Sequence, residues 1–439
     1  MRIAIITLPL HTNYGGVLQA YALQKTLEGM GHSVTILQPK KILPEPKGFN
    51  FLRKLATRSF RKYVLRHEDV EIFREHRINR EFPIVGREFV RFFNKYLNIR
   101  RVSSLRQIRK SDYDAFVVGS DQIFRPKYNP YLLHSFLDFT FKDKGKLSIW
   151  YNEFDGWTVK RVIYGASFGS DVWEFTPEQT ERAMILLSRF EGASFREKSG
   201  IKMASENLIR WSMPVLDPTM LLPKEDYLSM IEEYRKAVAK PCPKGALFEY
   251  VLDKTDEGKA AVDAFENVLC RKSEENEAVC QHIVRFLSTN PRGTGPVESR
   301  IQRPVEEWLG AISDASFVIT DSFHACVFSI IFHRPFAVIA NPGRGVSRIE
   351  WLLEQFALED RLVKDISEDA VPELIKTEID WEDVDARLEG FKSDSIGFLE
   401  FSLTQARKED FMSIYIPHTG LYREVSINEK KLHKCDLGK

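Results

Sequence analysis

The sequence predicts an α/β protein of two doubly wound, Rossmann-like domains facing each other across a cleft, with a basic helical insertion in the first. Three observations carry this. The chain has 439 residues, more than one ordinary core accommodates. Short apolar runs alternate with helical patterns in two successive blocks. Between the opening strands of the first block and its continuation, a long basic, aromatic stretch breaks the alternation. We place the first domain at 1–242, with the insertion at about 45–110, the second at 243–405, and a C-terminal extension at 406–439.

Residues 2–8 (RIAIITL) read as the first strand. Pro9, His11, Asn13 and two glycines follow where a signal peptide would have its cleavage region, so the strand is the better reading. Val17, Leu18, Tyr21, Ala22 and Leu27 then fall at helical spacing, Gly31 closes the helix, and SVTILQ (33–38) is the next strand. This strand–loop–helix–strand start opens a parallel sheet. Pro44, Pro46 and Gly48 make a linker into the insertion. Strands resume at 113–124, ending in Gly119-Ser120-Asp121, and at 161–171. A helix at 177–190, a strand and turn at 192–200 and a Pro-stopped strand at 214–222 complete the first domain. Gly165 and Gly169 allow close backbone approach. The second domain runs strand 245–253, helix 257–272, strand 282–288 and helix 304–315, then strand, helix and strand over 316–322, 322–332 and 335–342. Residues 406–439 read as a loosely packed extension.

Composition narrows the class. Hydrophobic residues make up 43% and charged residues 28%, which excludes a disordered, collagenous or membrane-spanning chain. No run approaches the roughly 18–20 apolar residues of a transmembrane helix. Five scattered cysteines without a C-x-x-C pair exclude a disulfide framework or zinc ribbon and suit a reducing cytoplasm. The net charge of +1 hides an asymmetry: residues 51–110 hold seventeen Lys/Arg against six Asp/Glu, with nine Phe/Tyr among them. Such a stretch is ordinarily a solvated helical face, and it also suits an element at an anionic membrane surface. With no recognised nucleic-acid module, no nucleic-acid partner is expected.

The chemistry concentrates in residues 315–348. The strand Phe317-Val318-Ile319 ends at Thr320-Asp321-Ser322 and a helix follows at once. Asp321 or Ser322 can cap it, which puts His324 in the first turn, at the sheet edge where open α/β sheets bind ligands. Free N–H groups and the positive helix end favour an anion there. The loop Asn341-Pro342-Gly343-Arg344 follows the next strand and opens on the same edge, about 5–10 Å away. A histidine beside an arginine suits a phosphorylated or carboxylated substrate. A histidine in a helix is ordinarily a packing or surface residue, and His333 reads that way; the strand-to-helix position sets His324 apart. Cys326, inside an apolar helix, reads as a buried thiol. Asp121, and likewise His11 and Asn13 in the first loop, read either as turn and cap residues or as hydrogen-bonding residues for a ligand. No H-E-x-x-H or clustered carboxylates offer a metal site.

Eight ordered motifs now add up: NYGGVLQAYALQ (13–24), VVGSDQIF (117–124), YGASFG (164–169), SFRE (194–197) with its following Ser-Gly, VLDPTMLL (215–222), EEWL (306–309), TDSFHACVFSIIFHRPF (320–336) and SRIEWLLEQFALEDRL (347–362). Over roughly residues 1–405 the chain resembles the polysaccharide pyruvyl transferases. The resemblance implies a GT-B-like fold with the site between domains, and transfer of an enolpyruvyl-derived unit from phosphoenolpyruvate to a sugar as a cyclic pyruvate ketal. It implies that His324 is the functional histidine, with Ser322 beside it on the donor side, and that Arg344 and Arg196 bind the donor. Two positions depart from the family: Ala325 stands where glycine often follows the histidine, and Asn-Tyr-Gly-Gly lacks the Gly-Asp of some members. The residue types fit the chemistry. Arginine forks match a carboxylate and a phosphate, and one histidine supplies the acid/base. No cofactor or metal beyond the phosphoenolpyruvate donor is expected. The expected protein is a cytoplasmic enzyme of capsule or exopolysaccharide synthesis. It acts on a sugar or lipid-linked oligosaccharide and docks at the inner membrane face through residues 51–110. A GT-B glycosyltransferase using a nucleotide sugar, or a non-catalytic sugar-binding protein of the same fold, stay open as alternatives.

Overall fold

Two all-parallel sheets organise the chain. The computed structural model describes residues 1–46, 48–103, 107–109, 111–127, 159–187, 190–208, 210–238, 243–253, 255–270, 282–286, 290–340, 346–364, 366–367, 370–404, 411–416 and 421–426. The first sheet comprises β1 (Arg2–Ile6), β2 (Ser33–Pro39), β3 (Ile99–Val102), β4 (Ala115–Gly119), β5 (Lys160–Ala166), β6 (Gly192–Phe195) and β7 (Met213–Pro214), in the order β3-β2-β1-β4-β5-β6-β7. Its helices are α1 (Tyr14–Gly29), α2 (Gly48–Ser59), α3 (Arg74–Val85), α4 (Arg87–Tyr96), α5 (Pro177–Leu187), α6 (Lys198–Leu208) and α7 (Lys224–Ala237). The second sheet, ordered β12-β11-β10-β8-β9, comprises β8 (Leu247–Tyr250), β9 (Ile283–Arg285), β10 (Phe317–Thr320), β11 (Phe336–Ile339) and β12 (Leu362–Val363). With it come α8 (Asp256–Cys270), α9 (Val305–Ser313), α10 (Phe323–Ile331), α11 (Val346–Gln355) and α12 (Ala370–Lys376). The long α13 (Trp381–Thr404) follows, and an antiparallel hairpin, β13 (Phe411–Ile416) and β14 (Leu421–Ser426), comes last.

The central strands are apolar because helices cover both faces. All five residues of β4 (AFVVG) are buried, as are all four of β10 (FVIT) and of β11 (FAVI). One core runs without a break from α1 to α9 and α10, joining Val17, Leu18 and Tyr21 to Trp308, Cys326 and Phe328. The two domains therefore share apolar surface, and the arrangement is GT-B-like. Among the described residues no helix is long and apolar enough to cross a membrane.

The structure departs from the sequence expectation in four places. The insertion is not helical to residue 110: it ends with α4, and β3 is the edge strand of the first sheet. Within it, Phe89, Phe92 and Phe93 are buried in the shared core, because α4 carries them on one stripe. Helix α13 returns to the first domain, where the Leu216 N–H donates to Ser395 Oγ at 2.9 Å and the Ser402 side chain covers Gly192. The tail, expected only as a loosely packed extension, pairs as a hairpin over 411–426.

Candidate functional site

Both sheets reverse strand order at a point facing the cleft, where ligands of open α/β sheets bind. In the first sheet this lies between β1 and β4, whose following loops carry His11, Asn13 and Asp121. In the second it lies between β8 and β10, followed by Leu252-Asp253 and by Asp321-Ser322-Phe323-His324. The sequence left the helix cap open between two residues, and the structure decides it. Ser322 is the N-cap of α10, accepting from the Ala325 N–H at 3.5 Å. Asp321 instead accepts from the N–H groups of Leu252 (2.7 Å) and Asp253 (3.1 Å), tying the two loops together.

His324 meets the first domain directly. Its Nε2 stands 3.7 Å from Oδ2 of Asp217, beyond hydrogen-bond length, and has no hydrogen bond among the described residues. The ring lies against the bare Cα of Gly15: a Cβ there would stand 2.0 Å from Nδ1. Asp217 is buried and heavily engaged. It accepts from Nε2 of Gln19, from Arg196 at 2.6 Å, and from the Thr219 N–H (3.0 Å) and hydroxyl (2.7 Å). Burial alone would push its carboxyl up; His324, Arg196 and Thr219 outweigh that and hold it well below the usual range. The network therefore favours the ionised carboxylate.

Arg196 lies inside this network. Its guanidinium bonds Asp217 and, at 3.3 Å, Asp121, and it stacks over the Phe323 ring with 4.9 Å to the centroid. Both of its ends are thus spent on carboxylates, and it is not among the residues lining the cleft. Asp121 and Ser120 adopt left-handed φ values of 55° and 29°, a strained turn of the kind that collects at functional sites. Asn13 caps α1 by accepting from the Gly16 N–H at 3.3 Å and donates to Asp121 at 3.4 Å. His324, Ser322, Asp121, Asn13 and His11 all line one cleft of about 1190 Å³. Arg344 and its loop lie outside the described residues. His333 is partly exposed, pairing with Asp385 at 2.8 Å and stacking on Trp381, and burial pushes the Cys326 thiol up, so it is no nucleophile.

Sequence reasoning assigned no role to several residues here. Asp217, inside VLDPTMLL, and Gln19, inside NYGGVLQAYALQ, sat in the quoted motifs. Arg348, the arginine of SRIEW, is buried on the cleft wall near Glu197, Arg196 and Asp121, and burial pushes its guanidinium down. Among the described residues eight Lys/Arg line the cleft against four Asp/Glu, a balance that favours an anionic ligand. Among the described residues no group of three His, Cys, Asp or Glu comes together to hold a metal ion.

Solved structures with a similar chain path include UDP-GlcNAc 2-epimerase from Neisseria meningitidis bound to UDP-GlcNAc, at 9% identity and TM-score 0.47, covering 92% of this chain and 100% of that one. Another is UDP-N-acetylglucosamine 2-epimerase from Rickettsia bellii, at 10% identity and TM-score 0.42, covering 92% and 96%. The calicheamicin glycosyltransferase CalG4 matches at 12% identity and TM-score 0.40, covering 93% and 99%. No curated protein matches the chain in sequence. A family model does: that of polysaccharide pyruvyl transferase matches residues 13–343, a stretch holding His324, Asp217, Arg196 and Asp121, and the chain belongs to that family.

Proposed function

We propose that the protein transfers a pyruvyl group from phosphoenolpyruvate to two hydroxyls of a surface-polysaccharide sugar or its lipid-linked precursor, with His324 as general acid/base. The supporting observation is His324 Nε2 itself. It is unbonded among the described residues, stands 3.7 Å from an ionised Asp217, and opens on a cleft with an excess of basic residues. His324 delivers a proton to the methylene carbon of the donor, and a sugar hydroxyl bonds to the carbon beside it. The second hydroxyl then attacks that same carbon as its bond to the phosphate oxygen breaks. One hydroxyl proton ends on the new methyl group and the other leaves with phosphate. Asp217 steadies the positive imidazole during each transfer. Arg348, with Arg344 as the sequence resemblance implies, holds the phosphate and carboxylate. Arg196 fixes Asp217 and Asp121, and Asp121, Asn13 and His11 receive the sugar. The outer face of the insertion carries exposed Phe49, Leu52, Phe60 and Tyr63 among basic residues, and in this reading it rests on an anionic membrane.

The test is incubation with phosphoenolpyruvate or UDP-sugars and a panel of glycosides. Phosphate release with an acceptor mass gain of pyruvic acid less one water is expected. His324→Ala should lower turnover by about 10²–10⁴-fold. Turnover of UDP-sugars alone, or a fully active His324→Ala, overturns the reading.

A further inference from the structure

We infer that the cleft contains a second anion subsite, formed by Arg74 of the insertion, Arg292 of the second domain and His11 of the first, which takes a phosphate group carried by the acceptor. That the phosphate belongs to the acceptor rests on the pyruvyl-transfer reading; that the site binds phosphate rests on the residues alone.

The walls of this subsite are fixed. Arg77 donates to the Arg292 carbonyl at 2.9 Å, the Gln302 N–H donates to the Val85 carbonyl at 2.9 Å, and Arg300 pairs with Glu81 at 2.8 Å. These bonds join α3 to the loop before α9 and bring Arg74, at the start of α3, within electrostatic range of Arg292. Three other cations of the cleft are answered by carboxylates: Lys54 by Glu75 at 2.9 Å, Arg125 by Glu174 at 3.1 Å, Arg285 by Glu249 at 2.6 Å. No described carboxylate hydrogen-bonds either Arg74 or Arg292. Arg292 is half-buried, and burial together with Arg74 pushes its guanidinium down. Arg74 and Arg292 repel one another on the cleft wall, Glu71 offsets part of the Arg74 charge, and an anion that binds both relieves the repulsion.

His11 completes the set. Its Nδ1 is buried without a hydrogen-bond partner among the described residues. Burial, then Arg292, lowers its pKa to about 4, so near neutral pH it is an uncharged ring with one N–H to donate. The groups felt by Arg348 are Glu197, Arg196, Asp121 and Arg125, whereas Arg292 feels Arg74 and acts on His11, which lies between the two sets because it also feels Asp121. The cleft thus has one cationic group beside His324 and another beside the insertion. A donor with its own phosphate fills the first, and the second is left for an anion on the other substrate.

Calorimetric titration separates the cases, using pyrophosphate, glucose 1-phosphate and farnesyl diphosphate as probes. The proteins are wild type, Arg74→Gln, Arg292→Gln and Arg348→Gln. Arg74→Gln and Arg292→Gln should each weaken pyrophosphate by about tenfold or more, the worth of a lost charge-assisted hydrogen bond, and leave phosphoenolpyruvate binding unchanged. Arg74 is exposed, so its variant tests the site without threatening the fold. Preference for farnesyl diphosphate identifies a lipid-borne phosphate and preference for glucose 1-phosphate a soluble one; either supports the subsite. If pyrophosphate weakens in both variants while phosphoenolpyruvate binds nowhere, the subsite stands and the pyruvyl-transfer reading falls. Unchanged pyrophosphate binding in both variants, or a loss confined to Arg348→Gln, overturns the subsite.

Discussion

A methyl group on Gly15 would stand 2.0 Å from Nδ1 of His324, inside the space the imidazole occupies. Gly15 belongs to the first turn of α1 and His324 to the first turn of α10, so the contact crosses between domains. The bare Cα lets the ring lie flat against the helix and sets its Nε2 toward Asp217. Gly15→Ala is therefore expected to displace the ring by an ångström or more. A shift of that size costs about 10²-fold in turnover. Turnover assays beside thermal unfolding check this; a folded Gly15→Ala enzyme with wild-type turnover would show that the contact sets nothing. The glycine pair was visible in the sequence but carried no role there, because its reason is a side chain some three hundred residues away. Asp217 is alike: a strand-end Asp before Pro reads as a cap, and it does cap Thr219, but its link to His324 exists only once the domains meet. His324 was legible because its signal is local, a strand ending in capping residues with a helix at once.

At the scale of elements, α3 and α4 act as a strut between domains. Arg91 on α4 reaches Glu306 on α9 with two bonds, 3.0 and 2.6 Å, and the Glu306 side chain is fully buried. Beside them Tyr14 stacks on Trp308 at 5.2 Å and donates to the Arg303 carbonyl at 3.0 Å. Removing Arg91 strands a buried carboxylate. Arg91→Met should destabilise the protein by about 3 kcal/mol, at the low end for a broken buried pair because Arg91 is partly open to water. Adding Glu306→Gln should restore much of that loss. Urea unfolding of wild type, both single variants and the double variant measures the coupling; additive losses would mean that the pair does not hold the strut. The charge count of residues 51–110 could not reveal this role. A sequence sum treats Arg58, Arg77 and Arg91 as solvated, whereas each folds back onto a carboxylate. The spacing of Phe89, Phe92, Phe93 and Tyr96 did carry the information, since positions at three- and four-residue steps form one helical stripe and such a stripe seeks a core. The basic average over the whole stretch concealed it.

On the whole molecule, the insertion divides into an inner part that braces the domains and an outer part that, apart from Phe51 stacked on Phe73, leaves its large apolar side chains exposed. Helix α2 has no buried residue at all. From it and the turn that follows, Phe49 (78% exposed), Leu52, Phe60, Tyr63 (70%), Val64 and Leu65 stand in water, with Phe73 just before α3. Single exposed hydrophobics are ordinary, but this many within one short stretch is not. Arg53, Arg61 and Arg66 are exposed among them, which gives the face the basic and apolar mixture of an interfacial helix. Lys54 of the same helix lines the cleft, so a membrane under this face would lie beside the cleft. Each basic residue near an anionic bilayer contributes on the order of 1 kcal/mol, enough for a few to give reversible docking that salt weakens. Flotation with anionic vesicles at low salt should carry the protein upward, and high salt or neutral vesicles should release most of it. Phe60→Ser with Tyr63→Ser and Leu65→Ser should weaken what remains, without changing thermal stability, because none of the three side chains is buried. Should the protein stay at the bottom of every gradient, the outer face has another partner, and a lipid-linked acceptor would have to reach Arg74 and His324 without the enzyme resting on its membrane.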